Sequence, residues 1–244
     1  MKTFLNILAL FAVVAALAQE NIRLNQLGFF PNAEKIAAVI DSDASTFQIV
    51  RGSNVVFEGD LSTENYWTQS KEYVKLADFS ALDIRGTFQL KLPNGDLSHS
   101  FRISDEAVNA VSIGAIKAYY YNRASTALEE AYAGEFKREA GHPDQSVIVL
   151  PSAATESRPA GTIISTPKGW YDAGDYNKYI VNSGISVFTL LAAYENYPEY
   201  YDDLDLSIPE SDNSVPDILD EALWNIEWMA TMQDEDGGVY NKTT

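Results

Sequence analysis

The chain has 244 residues, with 17 Lys or Arg against 35 Asp or Glu and a formal net charge of −18. A field of that sign repels nucleic acid and anionic lipid and suits a neutral, cationic or basic partner. There is no cysteine, so disulfides, thiolate metal sites and cysteine nucleophiles are excluded, while 46% hydrophobic and 12% aromatic residues are typical of a folded chain.

Residues 1–18 read as a secretory signal peptide. Lys2 gives a short positive start, Phe4 to Val14 is mostly apolar, and Ala16-Leu17-Ala18 is an A-x-A cleavage site, with cleavage expected before Gln19. The apolar run is shorter than the ~20 residues of a membrane span. The expectation is a secreted or periplasmic protein with no membrane association after cleavage.

Residues 19–104 carry the pattern of short strands. Ile36 to Ile40 is an apolar run, and Phe47/Ile49, Phe88/Leu90/Leu92 and Phe101/Ile103 alternate with polar neighbours. Asn94-Gly95 between two such runs is a hairpin signal. This spacing predicts an antiparallel β-sandwich of immunoglobulin-like type, with a small open barrel as the competing architecture.

Residues 105–244 change to a helical period. Val108, Val111, Ala115, Ile116, Tyr119 and Tyr120 mark a first helix, and Ile180, Val187, Phe188, Leu191 and Tyr194 a second. Val215, Ile218, Leu219, Ala222, Leu223, Ile226 and Met229 mark a third. Ser214 and Asp217 form an S-x-x-D capping pattern for that third helix, with Pro216 in its first turn. The stretch from Gly134 to Lys168 reads as a long loop of the kind that is usually functional or wraps a surface. Trp224 and Trp228, four apart beside the stripe, are expected to pack between helices.

The chemistry concentrates in Gly169-Trp170-Tyr171-Asp172-Ala173-Gly174-Asp175-Tyr176-Asn177-Lys178-Tyr179. Small residues between Asp172 and Asp175 let the two carboxylates converge on one water, and Trp170 and Tyr171 are candidate sugar-side aromatics. A carboxylate holding a water in line with an anomeric carbon is the base of an inverting glycosidase, whose acid stands ~6.5–9.5 Å away. Two aspartates sharing a water are too close for both roles, so they form only the water-activating half. Two plainer readings stand beside this one. Asp175 could cap the next helix with Asp172 in a turn, or Asp172, Asp175 and Asn177 could bind calcium, although the EF-hand pattern is absent. Asp234-Glu235-Asp236-Gly237-Gly238 reads as a turn ending the third helix.

These residues resemble the aspartate block of glycoside hydrolase family 9, a family of cellulases that are mostly endo-β-1,4-glucanases. Asn182-Ser183-Gly184-Ile185-Ser186, Val215-Pro216-Asp217-Ile218-Leu219-Asp220-Glu221-Ala222 and Met232-Gln233-Asp234-Glu235-Asp236-Gly237-Gly238-Val239-Tyr240 continue the match in order. Asn25-Gln26-Leu27-Gly28-Phe29 is similar to the opening of the immunoglobulin-like domain in one branch.

The resemblance implies a two-domain chain, an N-terminal all-β immunoglobulin-like sandwich followed by an all-α partial (α/α)6 barrel. It implies Asp175 as base and Asp172 as its assistant, and a proton-donating glutamate beyond Thr244, so that the chain reads as a C-terminally truncated fragment. Glu195, Glu221 and Glu227 are not assigned that role. Cysteine zinc ligands of the branch are replaced here by Tyr121-Asn122-Arg123-Ala124 and Ala140-Gly141-His142, and a family histidine after Tyr240 is replaced by Asn241. No cofactor is expected and no residue is assigned to a metal. The expected partner is a β-glucan polysaccharide or oligosaccharide, with no nucleic acid. The alternative is a non-catalytic carbohydrate-binding or structural module, or an inactive fragment.

Overall fold

In a computed structural model, which describes residues 21–244, the alternating pattern of the first hundred residues becomes two antiparallel sheets. The expected signal peptide and its cleavage position before Gln19 lie outside the described residues. The chain divides into two units, the first ending at Asn109 and the second spanning Ala110–Thr244.

The strands of the first unit are β1 (Ile22–Arg23), β2 (Ile36–Ile40), β3 (Thr46–Arg51), β4 (Asn54–Asp60), β5 (Asn65–Trp67), β6 (Glu72–Asp78), β7 (Gly86–Lys91) and β8 (Phe101–Ile103). One sheet runs β1-β2-β6-β5 and the other β4-β3-β7-β8. Successive strand residues point to opposite faces, so Ala37, Val39 and Ala77 of one sheet meet Phe47, Ile49, Phe88, Leu90, Phe101 and Ile103 of the other in a single core. This is the expected sandwich, and the open barrel is not formed. Phe29 packs edge-on against Phe79 and Phe101, at 5.3 and 5.6 Å between centroids. Gly28 allows that entry: its φ is +105°, and a Cβ there would lie 2.6 Å from the Arg102 carbonyl oxygen. The buried Lys35 ammonium donates to the Pro31 and Ala33 carbonyls, both at 2.7 Å, and closes the preceding turn.

Asn94-Gly95 makes the expected turn, with Gly95 N–H on the Leu92 carbonyl and Leu92 N–H on that of Asp96. The returning strand starts later than the apolar pattern predicts. The Ser98 hydroxyl accepts the Leu90 N–H at 2.9 Å, in place of a carbonyl, and regular pairing resumes only at Phe101.

The second unit opens with α1 (Asn109–Tyr121), whose first residue is the last of the first unit, and contains α2 (Glu130–Ala133), β9 (Val147–Ile148), β10 (Ile163–Ile164) and β11 (Lys178–Tyr179). It continues with α3 (Ile180–Asn196), α4 (Pro198–Tyr201), α5 (Asp217–Thr231) and β12 (Lys242–Thr243). The three long helices are those that the periodicity predicts, and α3 packs on α5. The Gly134–Lys168 stretch is not bare loop, because β9 and β10 pair as a small antiparallel ribbon within it.

Two local expectations for α5 are corrected. Its N-cap is Pro216, with no side-chain cap. The Asp217 carboxylate instead accepts the Leu206 N–H at 2.6 Å and the Ser211 hydroxyl at 2.7 Å, pinning the incoming loop to the helix. Its buried face is also turned from the apolar stripe. Leu223 and Ile226 are exposed, while Glu221, Asn225 and Trp228 are fully buried.

Candidate active site

The aspartate loop is held at both ends and open in the middle. At its start, Ala124 N–H donates to the Gly169 carbonyl and Tyr171 N–H to that of Asn122, both at 2.8 Å, an antiparallel bridge between Arg123 and Trp170. The Trp170 N–H donates to Asn225 Oδ1 at 3.1 Å, and its indole N–H to Glu221 Oε1 at 2.7 Å. Gly169 has a φ of +82°, and a Cβ on it would stand 2.8 Å from the Trp228 ring. The loop therefore needs a glycine where it crosses α5.

Behind Trp170 lies a buried ionic network. Arg123 pairs with Glu221 at 3.0 Å and with Glu210 at 3.0 Å, and its guanidinium lies 4.4 Å from the centre of the Trp224 ring. Burial pushes the Glu221 carboxyl above its usual range, against the opposing pull of Arg123. A half-satisfied charge at this depth would cost several kcal/mol, so Arg123 and the Trp170 indole N–H are both needed.

The far end of the loop hangs on Lys178. Its ammonium, buried beneath Trp228, donates to the Thr166 carbonyl at 2.7 Å and the Lys168 carbonyl at 2.8 Å, and pairs with Asp144 at 2.7 Å. All three protons are used, while burial lowers its pKa against the pull of Asp144. β11 pairs with β12, and Ile180 N–H donates to the Asn241 carbonyl, so the Tyr240–Lys242 segment runs beside the end of the loop.

Between these anchors, Asp172 N–H donates to the Asn177 carbonyl and Tyr176 N–H to that of Ala173, closing a tight turn from which Asp172 and Asp175 project exposed. Each carboxylate is oriented by an asparagine. Asn177 donates to Asp175 from its side chain at 2.7 Å, and Asn182 donates to Asp172 Oδ1 at 2.5 Å. Asp175 does not cap a helix, because α3 starts five residues later on an N-cap of Tyr179 without a side-chain bond. Among the described residues, no group of three or more His, Asp or Glu side chains is arranged to hold a metal ion.

A cavity of about 180 Å³ opens beside Asp172, lined among others by Tyr119, Asn122, Tyr171 and Asn182. Trp170 is also among the lining residues. It is 5% exposed and packs 4.7 Å from the Tyr119 ring, so most of its surface is core. Tyr171 is half-buried, its hydroxyl donating to the Gly141 carbonyl and its ring facing Arg138. Trp224 and Trp228, expected to pack between helices, instead contact the aspartate loop: the half-buried Trp224 donates its indole N–H to the Gly169 carbonyl at 3.1 Å, and the buried Trp228 lies against Gly169 and Lys178. Of the glutamates left unassigned, Glu221 is committed to Arg123, and Glu227 pairs with Lys168. The residues that sequence reasoning missed are Arg123, Glu221, Asn225 and Lys178. The available signal was an acid and an amide four apart on one helix, beside tryptophans.

The long segment before the loop is tied down as well. The Asp234 carboxylate accepts from the Thr155 and Ser157 hydroxyls and pairs with Arg158 at 3.2 Å. The Asp234–Gly238 turn therefore does more than end α5.

Residues 110–243 match the model of glycosyl hydrolase family 9, and residues 17–96 match that of the cellulase N-terminal ig-like domain. A xyloglucan-specific endo-beta-1,4-glucanase of Bacteroides ovatus is 45% identical over 252 residues, covering 97% of this chain and 42% of that protein. Endoglucanase D of Acetivibrio thermocellus is 34% identical over 217 residues, 88% of this chain and 34% of the relative. A solved family 9 structure from Bacteroides ovatus superposes with a TM-score of 0.86 at 46% identity, over 92% of this chain and 41% of that one. The chain thus spans less than half the length of these relatives.

Proposed function

The chain belongs to glycosyl hydrolase family 9, with an N-terminal cellulase immunoglobulin-like domain, and from that membership we propose that it supplies the water-activating half of an inverting β-1,4-glucanase. Asp175 is the base and Asp172 helps hold the nucleophilic water. The water attacks the anomeric carbon opposite the leaving oxygen while Asp175 takes its proton, and the β-linkage gives an α-product. The acid that protonates the leaving oxygen stands ~6.5–9.5 Å from the base, and it is assigned to no residue of this chain. The substrate class is cellulose or a related β-glucan, a reading supported by the β-1,4-glucanase names of the relatives. Export to the periplasm or the medium belongs to the same proposal.

One observation carries this reading: two exposed carboxylates, each oriented by an asparagine, project from a loop whose ends are locked into the core. Its test is turnover of a soluble β-glucan by the protein as its gene encodes it, against Asp175→Ala. Loss of turnover with retained folding supports the assignment, and retained turnover rejects it.

By itself this chain is proposed to be inactive and prone to associate. Val181, Ile185 and Phe188 of α3 are each more than 60% exposed, a wide apolar face for a soluble helix. Hydrolysis by the purified chain, abolished in Asp175→Ala, would overturn that.

A second reading, a non-catalytic carbohydrate-binding module, is favoured by one feature of the first unit. Tyr66 of β5 and Tyr73 of β6 face each other across the strands at 5.0 Å, both about half exposed. Binding to insoluble cellulose that is equal with and without residues 105–244 would support it.

A further inference from the structure

Tyr176, the residue after Asp175, is an exposed ring held in place from behind. It is 54% exposed, and its ring lies on the His142 imidazole with centroids 4.7 Å apart and planes 25° apart. Tyr171 meets the same two rings edge-on, at 5.1 Å from Tyr176 and 5.6 Å from His142. One face of the phenol is thus backed by an aromatic neighbour, and the other is turned to solvent.

The backbone under this stack is unusual. Ser125, His142, Asp144, Lys168 and Tyr176 are five of the eight non-glycine residues with positive φ among the described residues. They are tied together. Ser125 donates from its N–H to the Gly141 carbonyl and from its hydroxyl to that of His142, while Lys178 joins Asp144 to the Lys168 carbonyl. Bulky residues persist in the left-handed region where their surroundings over-determine them, a condition that recurs at functional sites. A surface ring fixed in this way loses little freedom when a ligand covers it.

The chemistry of such a face is specific. An all-equatorial β-glucosyl ring presents axial C–H groups on its flat sides and hydroxyls only around its rim, so an open aromatic face beside a water-activating carboxylate suits it. We propose that the open face of Tyr176 is a stacking subsite for one glucosyl residue of a β-1,4-glucan, with His142 as the backing that fixes the ring. This rests on the reading of Asp175 as the base.

The test is steady-state kinetics on cellohexaose with the protein as its gene encodes it. Tyr176→Ala is expected to raise KM about three- to tenfold, the range of a lost aromatic contact, with kcat changed less than about twofold. Tyr176→Phe keeps the face and is expected to recover most of that loss, and His142→Ala to raise KM in the same direction by a smaller factor. An unchanged KM in Tyr176→Ala overturns the subsite, as does a fall in kcat alone, which would make Tyr176 a positioning residue. Asp175→Asn in the same assay separates the two readings. If it abolishes turnover while Tyr176→Ala leaves KM unchanged, the subsite fails and the base stands. If it retains turnover, the base assignment fails, and calorimetric binding of cellohexaose to Tyr176→Ala then decides the subsite by whether affinity falls.

Discussion

The indole N–H of Trp170 donates to the fully buried Glu221 carboxylate at 2.7 Å. That bond, with the Asn225 side-chain oxygen on the Trp170 N–H, fixes the start of the aspartate loop to α5 two residues before Asp172. Arg123 supplies the charge that lets Glu221 sit there, so the loop, α5 and the end of α1 meet at one buried acid.

Removing Glu221 leaves Arg123 short of a partner and the indole N–H without an acceptor. Loss of one member of a buried pair costs about 3–5 kcal/mol. Glu221→Ala is expected at the lower end of that range, because Glu210 still faces Arg123. Urea unfolding followed by tryptophan emission measures it. The double variant Arg123→Met, Glu221→Leu is expected to lose less than the sum of the single changes. A strictly additive cycle would show that the two side chains do not act as a pair.

Gly169 answers to geometry rather than charge. An alanine there takes a left-handed backbone and puts its Cβ 2.8 Å from the Trp228 ring. The two effects together are expected to cost about 2–4 kcal/mol. The same unfolding experiment on Gly169→Ala checks this, and a loss under 1 kcal/mol, roughly the scale of a tolerated surface change, would contradict the close packing.

Asp234 gives a pH dependence with a definite sign. The Thr155 hydroxyl holds its carboxyl below the ordinary aspartate value of 3.8, helped by the Glu235 N–H, Ser157 and Arg158. With the folded value depressed, the unfolded chain binds the proton more readily. The stability from this contact is therefore complete above 3.8 and is lost as pH falls through the folded value. Thermal melts between about pH 2 and pH 5 are expected to show Asp234→Asn losing less Tm on acidification than the parent. Parallel curves would mean that the cluster at residues 155–158 does not depend on the charge.

The sandwich was legible in the sequence because alternation is local. Phe47/Ile49 and Phe88/Leu90 need no distant partner to declare which face they bury. The aspartate loop was legible for a similar reason, since small residues between two acids are a contiguous signal. The buried face of α5 was not. Its apolar stripe includes Leu223 and Ile226, which are exposed, and omits Glu221 and Asn225, which are buried. Those two are polar, and each is buried against a distant partner: Arg123, 98 residues from Glu221, and Trp170, 55 from Asn225. The cap expected at Ser214 failed likewise, because Asp217 is claimed by Leu206 and Ser211. Pairings across such separations leave no periodic trace.

The central claim is that Asp175 activates the water. Its most direct measurement is Asp175→Ala, in the protein as its gene encodes it, acting on a soluble β-glucan with and without sodium azide. Turnover is expected to fall by about 10²–10⁴-fold, the usual contribution of a general base. Azide, which needs no base, is expected to restore turnover and to leave a glycosyl azide of α configuration, having entered from the face that the water used. Turnover within about tenfold of the parent, or a β-configured azide product, would contradict the assignment.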